Sequence, residues 1–327
     1  MPEGRQRMNI EENSVISFVG AMAISWCCIV TDAAAQTTGI AGINLPPQQG
    51  TSNSGAFTNT PLSNVYTKKE VQDTLHHKKG IRILINPQTV NDPKQWRNTK
   101  KMADWALQRG GYVVFCMVDS NLIGGKPDTT VNDGHGDGLV DDISAAKSMW
   151  TKVATAYKAK PNVFFELFNE PFGYRDAPNY LSVMNQITPD NIPLDRIIID
   201  GMGYADNVQA IKDGWGGLLG YHVYLTWLPE GKRTKSDYSN FVQNALAGVA
   251  PRTFVTEFGA NLQLQKDYDD SSVPDADVQF LKGMDDAFNV LKPKGTFFYH
   301  GWNNGDAYSY WSGTESAKNK VDLTQTY

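Results

Sequence analysis

Two glutamates stand where apolar, strand-like runs give out: Glu170 in NVFFELFNEPFG and Glu257 in RTFVTEFGA. Val163-Phe164-Phe165 and Thr253-Phe254-Val255 are β-branched and aromatic, so each reads as a buried strand. Two carboxylates, distant in sequence and converging at strand ends, can divide proton donation and nucleophilic attack between them. Breaking a glycosidic bond requires that division of labour. Pro171 cannot continue a strand ladder, so the chain is expected to turn there and leave Glu170 on a rim. The neighbouring Asn169 offers an amide to a sugar hydroxyl.

A third polar cluster follows the same logic. Gly220-Tyr221-His222-Val223-Tyr224 ends another apolar run, and His222 and Tyr224 alternate, hence share one face. From there they can orient a carboxylate nucleophile by hydrogen bonds. Gly259, two residues beyond Glu257, leaves room for a substrate to approach.

Positioning these groups requires a scaffold, and the chain alternates accordingly. Strand-like runs fall at 39–45, 81–85, 112–118, 163–168, 196–199, 218–223, 253–256 and 296–300. Helical stretches lie between them at 68–78, 96–108, 140–158, 179–187, 208–212, 238–246 and 275–291. Eight strands alternating with helices imply a parallel sheet closed as a (β/α)8 TIM barrel, of α/β class. An open doubly wound sheet is disfavoured, because no Gly-x-Gly-x-x-Gly turn follows the first strand. After Gly301 only 316–323 has helical character, so a stunted last helix is expected. The Gly/Ser/Asn/Thr-rich stretch 48–63 would form a loop on the active face. On that face the loops after the fifth, sixth and eighth strands should bring Tyr204, Trp227 and Trp302 into one cleft with Asn169 and His222.

Composition agrees with a single large core. A chain of 327 residues lies within the range of one barrel. A net charge of −5 without a basic cluster excludes nucleic acid as the natural partner. Near the N-terminus, Val15–Val30 is apolar and uncharged, and Ala33-Ala34-Ala35 follows as a small-residue cleavage site. Residues 1–35 therefore read as a signal peptide or N-terminal hydrophobic segment, and 36–327 as the barrel domain. A secreted or periplasmic location follows, with no lasting membrane association once the signal is removed. The alternative is a membrane anchor, since the run approaches the length of a span. With Cys27 and Cys28 inside that segment, Cys116 is left alone in YVVFCMV, where a buried and inert thiol is expected.

Taken together, the motifs resemble glycoside hydrolase family 5, home of many endo-cellulases. LFNEP at the fourth strand, HVY at the sixth, VTEFG at the seventh and Trp302 after the eighth carry the likeness, which spans residues 39–311. The resemblance implies that Glu170 is the acid/base and Glu257 the nucleophile. It makes Asn169, Arg82, His222, Tyr224 and Trp302 the supporting set, with Arg82 steadying the nucleophile from the second strand. A charge set between Ile81 and Ile83 fits that inward role better than a surface ion pair. One position departs: Val118 stands where the family places a third-strand histidine, so Asp119 and Asn121 become candidates for that sugar contact.

The expectation is a secreted, monomeric, retaining endo-β-1,4-glucanase without cofactor or metal, acting on a β-glucan. Arg82 should lower the pKa of Glu257, whose negative charge should keep Glu170 protonated. The scaffold equally serves mannans, xylans, xyloglucan and mixed-linkage glucans. An inactive carbohydrate-binding barrel is the non-enzymatic alternative, although such a protein has no need of both carboxylates. The loop Asp133-Gly134-His135-Gly136-Asp137-Gly138 begins like an EF-hand, but Ser144 replaces the bidentate Glu, so a solvated loop is expected. Gly-x-Ser-x-Gly is absent, which removes the usual esterase reading.

Overall fold

The computed structural model describes residues 39–47, 60–118, 122–123, 126–127, 137–140, 142–270, 272–301 and 306–327. The N-terminal segment, most of the 48–63 stretch, Asp119, Asn121, the start of the Asp/Gly loop and Trp302 lie outside these. Eight parallel strands close into a barrel: β1 (Ile40–Leu45), β2 (Gly80–Ile85), β3 (Tyr112–Met117), β4 (Val163–Glu166), β5 (Ile197–Asp200), β6 (Leu218–Tyr224), β7 (Thr253–Gly259) and β8 (Gly295–Tyr299). Closure is direct, with Ile40 opposite Gly295 and Gly42 opposite Gly80. The expected (β/α)8 architecture is what forms.

Helices α1 (Lys68–His77), α2 (Pro93–Gln108), α3 (Ile143–Tyr157), α4 (Ala177–Ile187), α5 (Lys235–Ala245), α6 (Ala276–Leu291) and α7 (Glu315–Thr324) surround the barrel. Their starts follow capping chemistry. Thr67 and Thr234 form capping boxes with Glu70 and Asp237, and Asp92, Asp142, Asp176 and Asp275 accept main-chain N–H groups.

Two expectations need correction. The last helix is not stunted: α7 is capped by Thr314 and buries Ala317 and Val321. Gln325, just beyond it, donates to the carbonyls of Gly42 and Thr296 and so locks the β1–β8 seam. The abbreviated layer lies after β5 instead. There the 208–212 helix shrinks to a 3-10 turn at Val208–Ala210, preceded by the short Met202–Ala205 turn. Gly203 at φ 71° and Ala205 at φ 61° break any helical path between β5 and that turn.

Alternation along the strands builds the interior in layers. Ile40, Val114, Phe164, Ile198, Leu218, Phe254 and Phe297 pack as an apolar plug within the barrel. Two residues further along their strands, Cys116, Glu166 and Asp200 occupy the same phase, all buried. Above the apolar plug, the barrel interior is thus ionisable.

Candidate active site

Arg82 organises this upper layer. It is wholly buried on β2, and its guanidinium forks onto Glu166, with Nε to Oε2 at 2.7 Å and Nη2 to Oε1 at 2.8 Å. The remaining donors reach Asn44 Oδ1 at 2.9 Å, Asn169 Oδ1 at 2.7 Å, Cys116 Sγ at 3.1 Å and Glu257 Oε1 at 2.5 Å. A buried guanidinium is tolerable only when its donors are matched in this way. Cys116 is free and buried, and burial pushes its thiol well up, as expected of an inert cysteine.

Glu257 sits near the end of β7, its Oε2 accepting from the Tyr224 hydroxyl at 2.6 Å. Burial alone would raise its pKa. The charges of His222 and Arg82, with hydrogen bonds from Tyr224 and Arg82, more than offset that and hold the carboxylate below its ordinary value. Glu170 faces it. Leu167 N–H still bonds the Ile198 carbonyl and Asn169 N–H the Met117 carbonyl, so sheet pairing persists past β4 up to Asn169. Glu170 then turns away at φ 50°, a left-handed conformation uncommon outside glycine, ahead of Pro171.

His222 joins the two carboxylates. Its Nδ1 lies 2.9 Å from Glu170 Oε1 and 3.7 Å from Glu257 Oε2. Oxygens of Glu170 and Glu257 and a ring nitrogen of His222 all fall within 4.8 Å of one another. Burial opposes a charge on His222, but Glu257, Asp200 and Glu170 together raise its pKa to about 9. The imidazole is therefore a cation at neutral pH, with Nδ1 donating to Glu170.

Among the residues expected at the site, Glu170, Glu257, Arg82, Asn169, His222 and Tyr224 converge. Trp227 follows β6 half-buried, its ring 6.0 Å from that of Tyr224. Tyr204, after β5, is 53% exposed and stacks on Phe172 with centroids 4.7 Å apart. Asp119 and Trp302 belong to the undescribed residues. A Cβ at Gly259 would collide with the ring of Tyr308 and press on that of Tyr224. The glycine makes room for an aromatic group in which Tyr224, Tyr299 and Tyr308 meet edge to face. Val118 packs with Leu62, Leu84 and Cys116, so an apolar cluster fills the wall where a histidine was expected.

Sequence reasoning passed over Asn44, Glu166, Asp200, Tyr299 and Tyr308. For Glu166 and Asp200 a signal existed: each is an acid two residues beyond an interior apolar residue of a barrel strand.

The family model for cellulase (glycosyl hydrolase family 5) matches residues 46–312, most of the chain. The chain belongs to glycosyl hydrolase family 5. It is a glycoside hydrolase, and solved members of similar fold are endoglucanases. An endo-β-1,4-glucanase from Xanthomonas axonopodis pv. citri is 15% identical with a TM-score of 0.60, the match covering 88% of this chain and 98% of that one. Pseudomonas stutzeri endoglucanase Cel5A in complex with cellobiose is 14% identical at 0.59, covering 87% and 92%. The hyperthermophilic endocellulase of Pyrococcus horikoshii is 14% identical at 0.62, covering 88% and 92%. At these identities the likeness is one of fold.

Proposed function

We propose that this glycoside hydrolase cleaves a β-1,4-glucan with retention of configuration, Glu257 acting as nucleophile and Glu170 as acid/base. The observation that carries this reading is that one oxygen of Glu170 and one of Glu257 lie within 4.8 Å of each other, with His222 Nδ1 between them. Double displacement needs carboxyl groups about 5–5.5 Å apart, whereas inversion needs roughly 6.5–9.5 Å to admit a water between them.

In the first step a Glu257 oxygen attacks the anomeric carbon while the glycosidic bond to the leaving oxygen breaks. Glu170 transfers its proton to that oxygen. Oε1 of Glu170 is engaged by His222, and among the described residues Oε2 has no hydrogen-bond partner, so Oε2 is the oxygen free to carry the proton. In the second step water attacks the glycosyl-enzyme. Glu170 takes the water's proton and the Glu257 carboxylate departs. Tyr224 and Arg82 hold Glu257 ionised and aimed before attack, and receive its carboxylate again when the glycosyl-enzyme is hydrolysed.

Because Glu170 protonates the leaving oxygen, the leaving part of the chain lies on its side. The exposed Tyr204 ring, backed by Phe172, is the platform on which that sugar stacks. Trp227 contributes from β6, and Trp302 and Asp119 complete the contacts by the family pattern. The apolar run 15–30 before Ala33-Ala34-Ala35 supports export of the enzyme, which acts as a monomer without cofactor.

Reducing-sugar release from carboxymethylcellulose, lichenan, mannan and xylan tests the substrate. The proposal expects the first two to be degraded fastest. Preference for mannan or xylan would keep the chemistry and replace the substrate.

A further inference from the structure

Asp200 closes β5 inside the barrel and is fully buried. Its Oδ2 accepts the main-chain N–H of Glu170 at 3.0 Å, the residue whose backbone is held at φ 50°. The same oxygen is 3.7 Å from His222 Nε2, while the opposite ring nitrogen, Nδ1, lies 2.9 Å from Glu170 Oε1. These contacts form a closed ring: Asp200, the Glu170 backbone, the Glu170 carboxyl, His222, and Asp200 again. We propose that Asp200 is a positioning residue, fixing Glu170 at its backbone directly and at its carboxyl through His222.

Three features show that the place is built for this carboxyl. A Cβ at Gly220 would collide with Asp200 Oδ1, so β6 keeps a glycine opposite it. Thr256 Oγ1 also borders that space. Glu166, Asp200 and His222 offer atoms mutually within 4.8 Å, and Glu166 is already committed to the Arg82 fork. Burial, and next the charge of Glu166, raise the Asp200 pKa well above the usual carboxylate range. Its Oδ2 serves as acceptor to the Glu170 main-chain N–H. Without it, the Glu170 N–H loses that acceptor and a left-handed backbone at a non-glycine residue loses its restraint.

This inference rests on the acid/base role proposed for Glu170, and leaving-group chemistry tests it. A displaced acid hurts substrates that need their leaving oxygen protonated and spares those that do not. The probes are cellotetraose and dinitrophenyl β-cellobioside, compared by kcat/KM. Asp200→Ala should lose about a hundredfold on cellotetraose, the scale of an ångström's misplacement, and only a few-fold on the dinitrophenyl substrate. Asp200→Asn, neutral and of the same shape, should restore most of the loss. Gly220→Ala, which pushes Asp200 aside without removing it, should repeat the Asp200→Ala pattern in milder form. Equal loss on both probes, or an Asp200→Asn variant as poor as Asp200→Ala, would overturn the assignment. A wild-type enzyme inert on both probes contradicts the β-glucan reading above, and this inference with it.

Discussion

His222 and Glu257 face each other across β6 and β7 only because β7 carries one extra residue just before the glutamate. Tyr221 pairs with Val255, yet the next residue on β6, His222, pairs with Glu257 rather than Thr256. The β7–β8 pairing shifts over the same stretch. Thr256 is the residue left over, and its carbonyl is taken by Asn44 Nδ2 at 2.9 Å. Strict alternation would have sent Thr256 inward and Glu257 out. The bulge turns both toward the interior, which explains how VTEFG delivers a carboxylate to a site beside His222.

Removing the nucleophile should abolish turnover. Glu257→Ala is expected to fall to background on carboxymethylcellulose, and azide or formate should restore part of the rate while releasing product of inverted configuration. Chiral analysis of that rescued product checks it. A mutant with unchanged rate ends the assignment of Glu257.

Arg82 is expected to matter for stability as much as for rate. Arg82→Ala leaves Glu166 buried without its counter-ion, and uncompensated buried charges of this kind cost about 3–5 kcal/mol. Urea denaturation would measure it. A loss below about 1 kcal/mol would mean that the layer is held together some other way.

His222 predicts a pH signature. Its pKa is raised from 6.5 to about 9 by Glu257, Asp200 and Glu170 against the opposing effect of burial. The stability this contributes is complete below pH 6.5 and lost as the pH rises through 9. On the order of 3 kcal/mol is involved. Glu257 acts in the opposite sense, losing its contribution as the pH falls below the ordinary carboxylate value. Denaturation midpoints across alkaline pH should therefore slope downward in the wild type and flatten in His222→Asn. Parallel slopes would contradict a charged imidazole.

How much of this could be read beforehand depended on whether a signal was local. The barrel strands are apolar runs bounded by turns, and the two glutamates stand at their ends, so both were visible in order along the chain. The bulge at Thr256 was not, because register is decided by pairing with β6 and β8 and leaves no composition mark. Asp200, just past the apolar run 196–199, was passed over. Its burial depends on Gly220 across the sheet, which is a tertiary fact. The stunted segment after β5 was misassigned to the chain end, because the Gly203 and Ala205 conformations outweigh the apolar spacing of 208–212.

Tyr204 separates substrate contact from structure. Its ring is largely exposed and stacks on Phe172, so Tyr204→Ala should leave unfolding within about 0.5 kcal/mol of wild type. The Michaelis constant for polymeric glucan should rise several-fold. Trp227→Ala should weaken turnover too, with some cost in stability, since that ring packs against Tyr224. Unchanged kinetics in Tyr204→Ala would remove it from the leaving-sugar side.

The most direct test of the account is the configuration of the sugar released first. Proton NMR of cellotetraose hydrolysis, followed from the earliest time points, distinguishes the anomers before they equilibrate. Glu170 and Glu257 at their observed closeness predict the β-anomer appearing first, with the α-anomer growing in later by mutarotation. Initial release of the α-anomer would mean direct displacement by water, and the double-displacement roles given to these two residues would be wrong.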